Sequence, residues 1–265
     1  MQDVSYFSAG DGARIAYRYD GEARLPTLVL ANSIGTTLHM WDAQIPALTR
    51  HFRVLRYDYR GHGMSSVPQG PYSLDRLGRD VLELMDGLGI EHAHFLGLSL
   101  GGIVGLWLGV HAPQRVGRLI LSNTSAYLGP TPQWDERIAA TLRADDMSET
   151  AETFLKNWFP ASWLQKGNPA IEPFRAVLLN TDKHGLASAF AAVRDFDLRR
   201  TIALIPNPTL VIAGQHDTVT AASHGEQIAA AIPGAKLLTL PAVHLTNVEL
   251  PEAFEEAVLS FLLKG

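Results

Sequence analysis

The sequence predicts an α/β fold: a mostly parallel eight-stranded sheet with helices on both faces and an inserted helical cap. Three observations carry this. Short runs rich in Leu, Val and Ile recur along the chain, stretches with helical spacing separate them, and the strand signals stop between about Ser125 and Ile205 before resuming. Alternating strands and helices imply parallel neighbours joined by crossovers. Residues 1–124 and 206–265 are therefore expected to form the core and 125–205 the cap; a chain of 265 residues fits one core with an insertion.

Taken in order, the alternating residues of 3–8 and 13–19, joined by Gly10-Asp11-Gly12, predict an antiparallel hairpin at a sheet edge, because an Asp-Gly turn supplies the positive φ that tight hairpins need. Thr27–Ala31, Arg53–Tyr57, Ala93–Leu98, Val116–Ser122, Thr209–Ala213 and Lys236–Leu240 are strand-length and apolar, a texture expected of strands buried on both faces. Leu74, Leu77, Val81, Leu84, Met85 and Leu88 have the spacing of one helix face, and Pro251–Leu263 reads as a terminal amphipathic helix. Inside the cap, Trp134, Trp158, Phe159, Trp163, Phe174 and Phe190 are expected to serve packing more than ligand contact. The chain returns to the core at Asn207-Pro208.

A net charge of −5 gives no broad cationic field, which argues against nucleic-acid and membrane-surface partners. The absence of cysteine removes disulfides, thiolate metal sites and cysteine nucleophiles together. The start of the sequence lacks a basic segment followed by an apolar run, and no stretch reaches the roughly 18 apolar residues of a membrane span. A soluble cytoplasmic protein is the expectation. The histidines show no metal-ligand spacing and no dinucleotide or phosphate loop occurs, so no cofactor and no metal are expected. Self-association is not legible.

The chemistry is carried by Gly97-Leu98-Ser99-Leu100-Gly101, which follows a strand and precedes an apolar helix. That is the strand–turn–helix setting of a nucleophile elbow, in which a strained turn pushes the serine hydroxyl into the open and small neighbours relieve the crowding. Alone, the pattern also fits a glycine-rich turn with a helix-capping serine. A hydroxyl at its ordinary pKa needs a histidine within reach and a third group to orient that histidine. Asp217 follows the strand Thr209–Ala213 and His244 follows Lys236–Leu240, which gives the order Ser, Asp, His on loops that converge at the carboxyl ends of parallel strands. Ser99 is thus the candidate nucleophile, His244 the base and Asp217 the orienting acid. Two backbone donors are expected to hold an oxyanion: Leu100, directly after the nucleophile, and Ile34 in the loop Asn32-Ser33-Ile34-Gly35, which could instead be a simple connecting turn. Asp58-Tyr59-Arg60-Gly61-His62-Gly63 reads as scaffold that stitches turns together, and His216 is given no chemistry.

Asn32-Ser33-Ile34-Gly35-Thr36, Asp58 to Gly63, Gly97 to Gly102 and Ser122-Asn123-Thr124-Ser125 together resemble the bacterial 3-oxoadipate enol-lactonases of the α/β-hydrolase superfamily, over nearly the whole chain. The elbow and triad are shared across that superfamily, whereas the Asn-Ser-Ile-Gly-Thr loop and the Ser-Asn-Thr stretch are narrower signals. The resemblance implies cofactor-free hydrolysis of 3-oxoadipate enol-lactone to 3-oxoadipate through an acyl-enzyme, in the protocatechuate and catechol branches of aromatic degradation. Such a small anionic lactone carries a free carboxylate that must meet a cation or strong donors. Trp134 and Arg137, three apart on the expected first cap helix, are the candidates, though a surface arginine beside a core tryptophan has the same spacing. A general carboxylesterase or perhydrolase on the same fold would share the triad and differ in the pocket. A non-turnover ligand receptor on a hydrolase scaffold is the alternative from another class.

Overall fold

The structure, a computed structural model, describes residues 4–264. Asp3, the first residue of the expected opening strand, lies outside the described residues. The hairpin forms from β1 (Ser5–Ser8) and β2 (Arg14–Asp20), and its turn places Gly12 at φ 84°. Next come β3 (Thr27–Ala31), the short α1 (Ile45–Leu48), β4 (Arg53–Tyr57), α2 (Leu74–Gly87), β5 (Ala93–Leu98), α3 (Leu100–His111) and β6 (Val116–Ser122). Between β6 and β7 (Thr209–Gly214) lie five helices: α4 (Thr131–Arg143), α5 (Ser148–Trp158), α6 (Ala161–Lys166), α7 (Glu172–Leu179) and α8 (Lys183–Asp195). The chain ends with α9 (Ala222–Ala231), β8 (Lys236–Leu240), α10 (Thr246–Glu249) and α11 (Pro251–Leu263).

The eight strands form one sheet in the order β1-β2-β4-β3-β5-β6-β7-β8. β1, β2 and β4 pair antiparallel, and every pairing from β4 to β8 is parallel. A parallel neighbour requires a crossover, which is why α2, α3 and α9 stand between successive parallel strands. α3 packs on β3, β5 and β6, α2 packs on α3, and α9 covers β7 and β8.

The expectation that all six apolar runs are buried on both faces is corrected at one of them. β3 to β7 are buried almost throughout, but in β8 Lys236, Leu237 and Thr239 are exposed. β8 ends the sheet and pairs only with β7, so its composition reports strand propensity without two-sided burial.

Two devices hold the loops beneath the site. Asp58 is buried, and its carboxylate accepts the amides of Leu38 at 2.7 Å and Met64 at 2.9 Å. Arg60 bridges Asp80 on α2 and Asp11 in the β1–β2 turn. α8 begins with the Asp182 side chain accepting from the His184 and Gly185 amides. Here the cap touches the core backbone to backbone: a Cβ on Gly185 would stand 2.4 Å from the Gly61 carbonyl oxygen. Among the described residues, no helix is long and apolar enough to cross a membrane.

Candidate functional site

Ser99 stands between β5 and α3 at φ 58°, a left-handed conformation uncommon for a residue with a side chain. The turn is strapped from several directions. The Ser99 amide donates to the Ser122 carbonyl at 2.9 Å, and its carbonyl accepts from the Ile103 amide and the Thr124 hydroxyl. Glycine is required on both sides. A Cβ at Gly97 would lie 2.1 Å from the Gly101 carbonyl oxygen, and one at Gly101 would lie 2.1 Å from that of Ala31. The Ser99 side chain makes no capping bond to α3. Its hydroxyl faces a cavity lined also by Ile34, Leu100 and His244.

Leu100 is the first residue of α3, so its amide is among those a helix leaves unpaired. Ile34 comes from the loop after β3, and that loop is fixed by Asn32 at its start. The Asn32 amide donates to the Tyr57 carbonyl at 2.8 Å, and its oxygen accepts from Trp41 Nε1 at 2.9 Å. The Asn32 carbonyl then accepts from the Gly101 amide at 3.0 Å. One buried asparagine therefore ties the Ile34 loop to the neighbouring strand and to the elbow.

His244, on the loop after β8, is buried, and its Nδ1 lies 2.8 Å from Asp217 Oδ2. A carboxylate there fixes the ring so that Nδ1 carries the hydrogen. Asp217 accepts five bonds in all: from His244, from Asn123 Nδ2 at 3.0 Å, from the Thr220 hydroxyl at 2.8 Å, and from the Val219 and Thr220 amides. Burial alone would push this carboxyl up, but the His244 charge and these donors overcome it and hold it at about 2. His216, directly before Asp217, is exposed, and His62 is buried in the scaffold.

The rest of the cavity wall is largely apolar and comes mostly from the cap, with Leu128, Trp134, Phe154, Trp158, Phe190 and Val193 joined by Ile103 and Val219 of the core. Arg137 is the cation in this wall. Its guanidinium lies 5.1 Å from the centroid of Phe190 and 5.5 Å from those of Trp134 and Phe154, and among the described residues it forms no ion pair. Burial pulls its pKa down from the ordinary arginine value. The Trp134 indole N–H is committed to the Leu128 carbonyl at 2.5 Å, so this tryptophan contributes surface rather than a donor. Trp134 and Arg137 also line an outer cavity with Gln133, Asn157, Thr218 and His224.

All seven residues singled out in the sequence are thus near one another: Ser99, His244, Ile34, Leu100, Trp134 and Arg137 share one cavity, and Asp217 lies behind His244. The sequence reading named Asn123 only within the Ser122–Ser125 stretch and gave it no role, and it missed Thr220 and Asn157. Asn123 and Thr220 act on the buried side of Asp217, and Asn157 lines the wall beside Arg137. The rule that loops at the carboxyl ends of parallel strands converge would have drawn attention to Asn123, directly after β6. Among the described residues, no group of three or more His, Asp or Glu is gathered as a metal site.

Comparison with known proteins agrees with this architecture. Residues 26–249 match the family described as the alpha/beta hydrolase fold. The chain is 38% identical, over 91% of its length and 90% of the relative's, to 3-oxoadipate enol-lactonase 2 of Acinetobacter baylyi. A hydrolase of Pseudomonas aeruginosa superposes with a TM-score of 0.98 at 69% identity, covering 99% of both chains. The enol-lactonase of Burkholderia xenovorans superposes with a TM-score of 0.95 at 41% identity, covering 98% of this chain and 100% of that one. With this sheet, this elbow and these relatives, the chain belongs to the α/β-hydrolase family, among members that include the 3-oxoadipate enol-lactonases.

Proposed function

We propose that the protein hydrolyses 3-oxoadipate enol-lactone, a small enol-lactone bearing a carboxylate, through an acyl-enzyme on Ser99. One observation carries the reading: a strained serine, a carboxylate-held histidine and an arginine with no ion-pair partner among the described residues line the same largely apolar cavity. The named relatives support the choice of substrate.

Ser99 Oγ attacks the lactone carbonyl while His244 Nε2 takes its proton, and Asp217 stabilises the imidazolium. The Ile34 and Leu100 amides hold the oxyanion, each contributing roughly 3 kcal/mol. Collapse breaks the ring C–O bond, and His244 returns the proton to the departing enol oxygen. The enol rearranges to the ketone, which removes the group that could reclose the ring. Water, giving its proton to His244, then attacks the acyl group, and Ser99 leaves with that proton. Arg137 neutralises the substrate carboxylate, a role for which a cation already relieved of water is suited. Such a reaction serves the breakdown of aromatic compounds through the protocatechuate and catechol branches.

The test is steady-state hydrolysis of the enol-lactone beside a neutral p-nitrophenyl ester. The native protein strongly prefers the lactone, and Ser99→Ala loses about 10⁶ in kcat on both. Arg137→Gln raises KM for the lactone about tenfold or more and leaves the ester unchanged, since only the anion loses its partner. A native preference for the ester would overturn the substrate and leave the nucleophile standing.

A further inference from the structure

We infer that Asn123 is a positioning residue of the reaction: its side chain ties the acid loop to the base loop and aims Asp217 at His244. The inference rests on the triad reading above and adds a member to its support.

Asn123 follows β6 and is buried, at φ 44°. Glycine is the default residue for positive φ because it lacks a Cβ. A side chain retained in such a place needs a use, and here every polar atom of the side chain has one. Nδ2 donates to Asp217 Oδ2 at 3.0 Å and to the Val243 carbonyl, next to His244, at 3.2 Å. Oδ1 accepts from the Ser122 hydroxyl at 2.7 Å and from the Thr246 hydroxyl at 2.9 Å. Two donors and two acceptors fix the orientation of the amide without ambiguity. The partners on the far side span both catalytic loops: Asp217 after β7, and the carbonyl before and the hydroxyl after His244.

The surroundings are shaped for this crossing. A Cβ on Gly214, the last residue of β7, would stand 2.6 Å from the Val243 carbonyl oxygen and 2.9 Å from Asn123 Nδ2. The bare backbone at 214 is what lets the amide and the 242–243 segment approach. The Asn123 amide N–H donates to the Ile212 carbonyl at 2.8 Å, anchoring the residue on β7 as well. The ionisable groups around it are Asp217, His244, Glu249, which accepts from the Val243 amide at 2.7 Å, and His224, which feels the Asp217 charge.

Asn123 touches no reacting atom and acts through the Asp217–His244 pair. Asn123→Ala removes the tie, so kcat falls roughly 10- to 100-fold with KM within about twofold, because orientation of the base is needed in the transition state and not for substrate binding. Asn123→Asp keeps the shape and places a second acid against Asp217. A carboxyl there shares a proton with Asp217 and, once that proton is lost, repels it instead of donating to it, so kcat/KM of this variant falls with rising pH where the native protein holds level. A residue that only fills space would leave kcat of a folded Asn123→Ala at the native value. Both variants, the native protein and Ser99→Ala are assayed on the enol-lactone from pH 5 to 9, with thermal unfolding measured in parallel. If Asn123→Ala does not fold, the nearly isosteric Asn123→Asp decides by its pH profile. A pH profile of Asn123→Asp that matches the native one, or native kcat in a folded Asn123→Ala, overturns the inference. Retained turnover in Ser99→Ala would overturn the triad itself, so the two failures are distinguishable.

Discussion

Ser99 is held in a conformation its side chain disfavours, and the residues that enforce it are glycines whose neighbours are backbone atoms, which cannot swing aside. Gly101→Ala is therefore expected to lower stability by several kcal/mol or to displace the elbow, with activity falling alongside Tm in a thermal melt. Asp217 makes a different prediction. With its carboxyl at about 2, it is ionised around neutral pH and meets the His244 Nδ1–H as an acceptor. Asp217→Asn leaves the shape and inverts the hydrogen-bonding demand on Nδ1, for an expected loss of about 10⁴ in kcat by steady-state assay. At this scale the sequence was legible where chemistry follows strand ends: Ser99 comes directly after an apolar run, and Asp217 and His244 lie on the short loops after two others. Asn123 and Thr220 were not, since a donor to a buried carboxylate has no period and no spacing. Asn123 finds Asp217 across 94 positions of sequence, through the order of strands in the sheet.

The elements show the same division. α2 was readable because its apolar residues keep helical spacing, and its N-terminus carries a serine whose hydroxyl accepts from the Arg76 amide. β8 was readable as a strand but not as an edge, because strand order is a property of the whole sheet. In the cap, five helices were legible only as a region without strand signals. Their aromatics divide by contact in a way that residue type does not announce: Trp163 stacks on Phe159, whereas Phe190 lies against Trp134 and Phe154 in the cavity wall. Phe190 sits on α8, which packs along α4, so it serves both cohesion and pocket shape. Phe190→Ala is expected to cost about 3–5 kcal/mol by denaturant unfolding. The same variant should gain relative activity on bulkier esters as the wall recedes, read by comparing short and long acyl chains.

Across the whole molecule, acid sensitivity has an identifiable contributor far from the nucleophile. Burial pulls the His62 imidazole down to about 4 from 6.5, so the folded protein stays neutral there while the unfolded chain takes up a proton. The associated stability is whole above pH 6.5 and drains as the pH falls toward 4, by up to ~3 kcal/mol. His62→Gln removes that titration, so its stability relative to the native protein rises across this window, as a series of thermal melts from pH 7 to 4 would show. The contact of Gly61 with Gly185 has a mechanical consequence. It seats α8 against the core with no compressible side chain between them, so this end of the insertion works as a fulcrum. α8 buries eight of its residues, whereas α4 buries Thr141 alone, and the compliance needed to admit a ligand therefore falls on α4 and the segments beside it. Amide hydrogen exchange should divide the insertion accordingly, slow along α8 and fast along α4. A bulky residue at position 185 would loosen the fulcrum and erase that contrast.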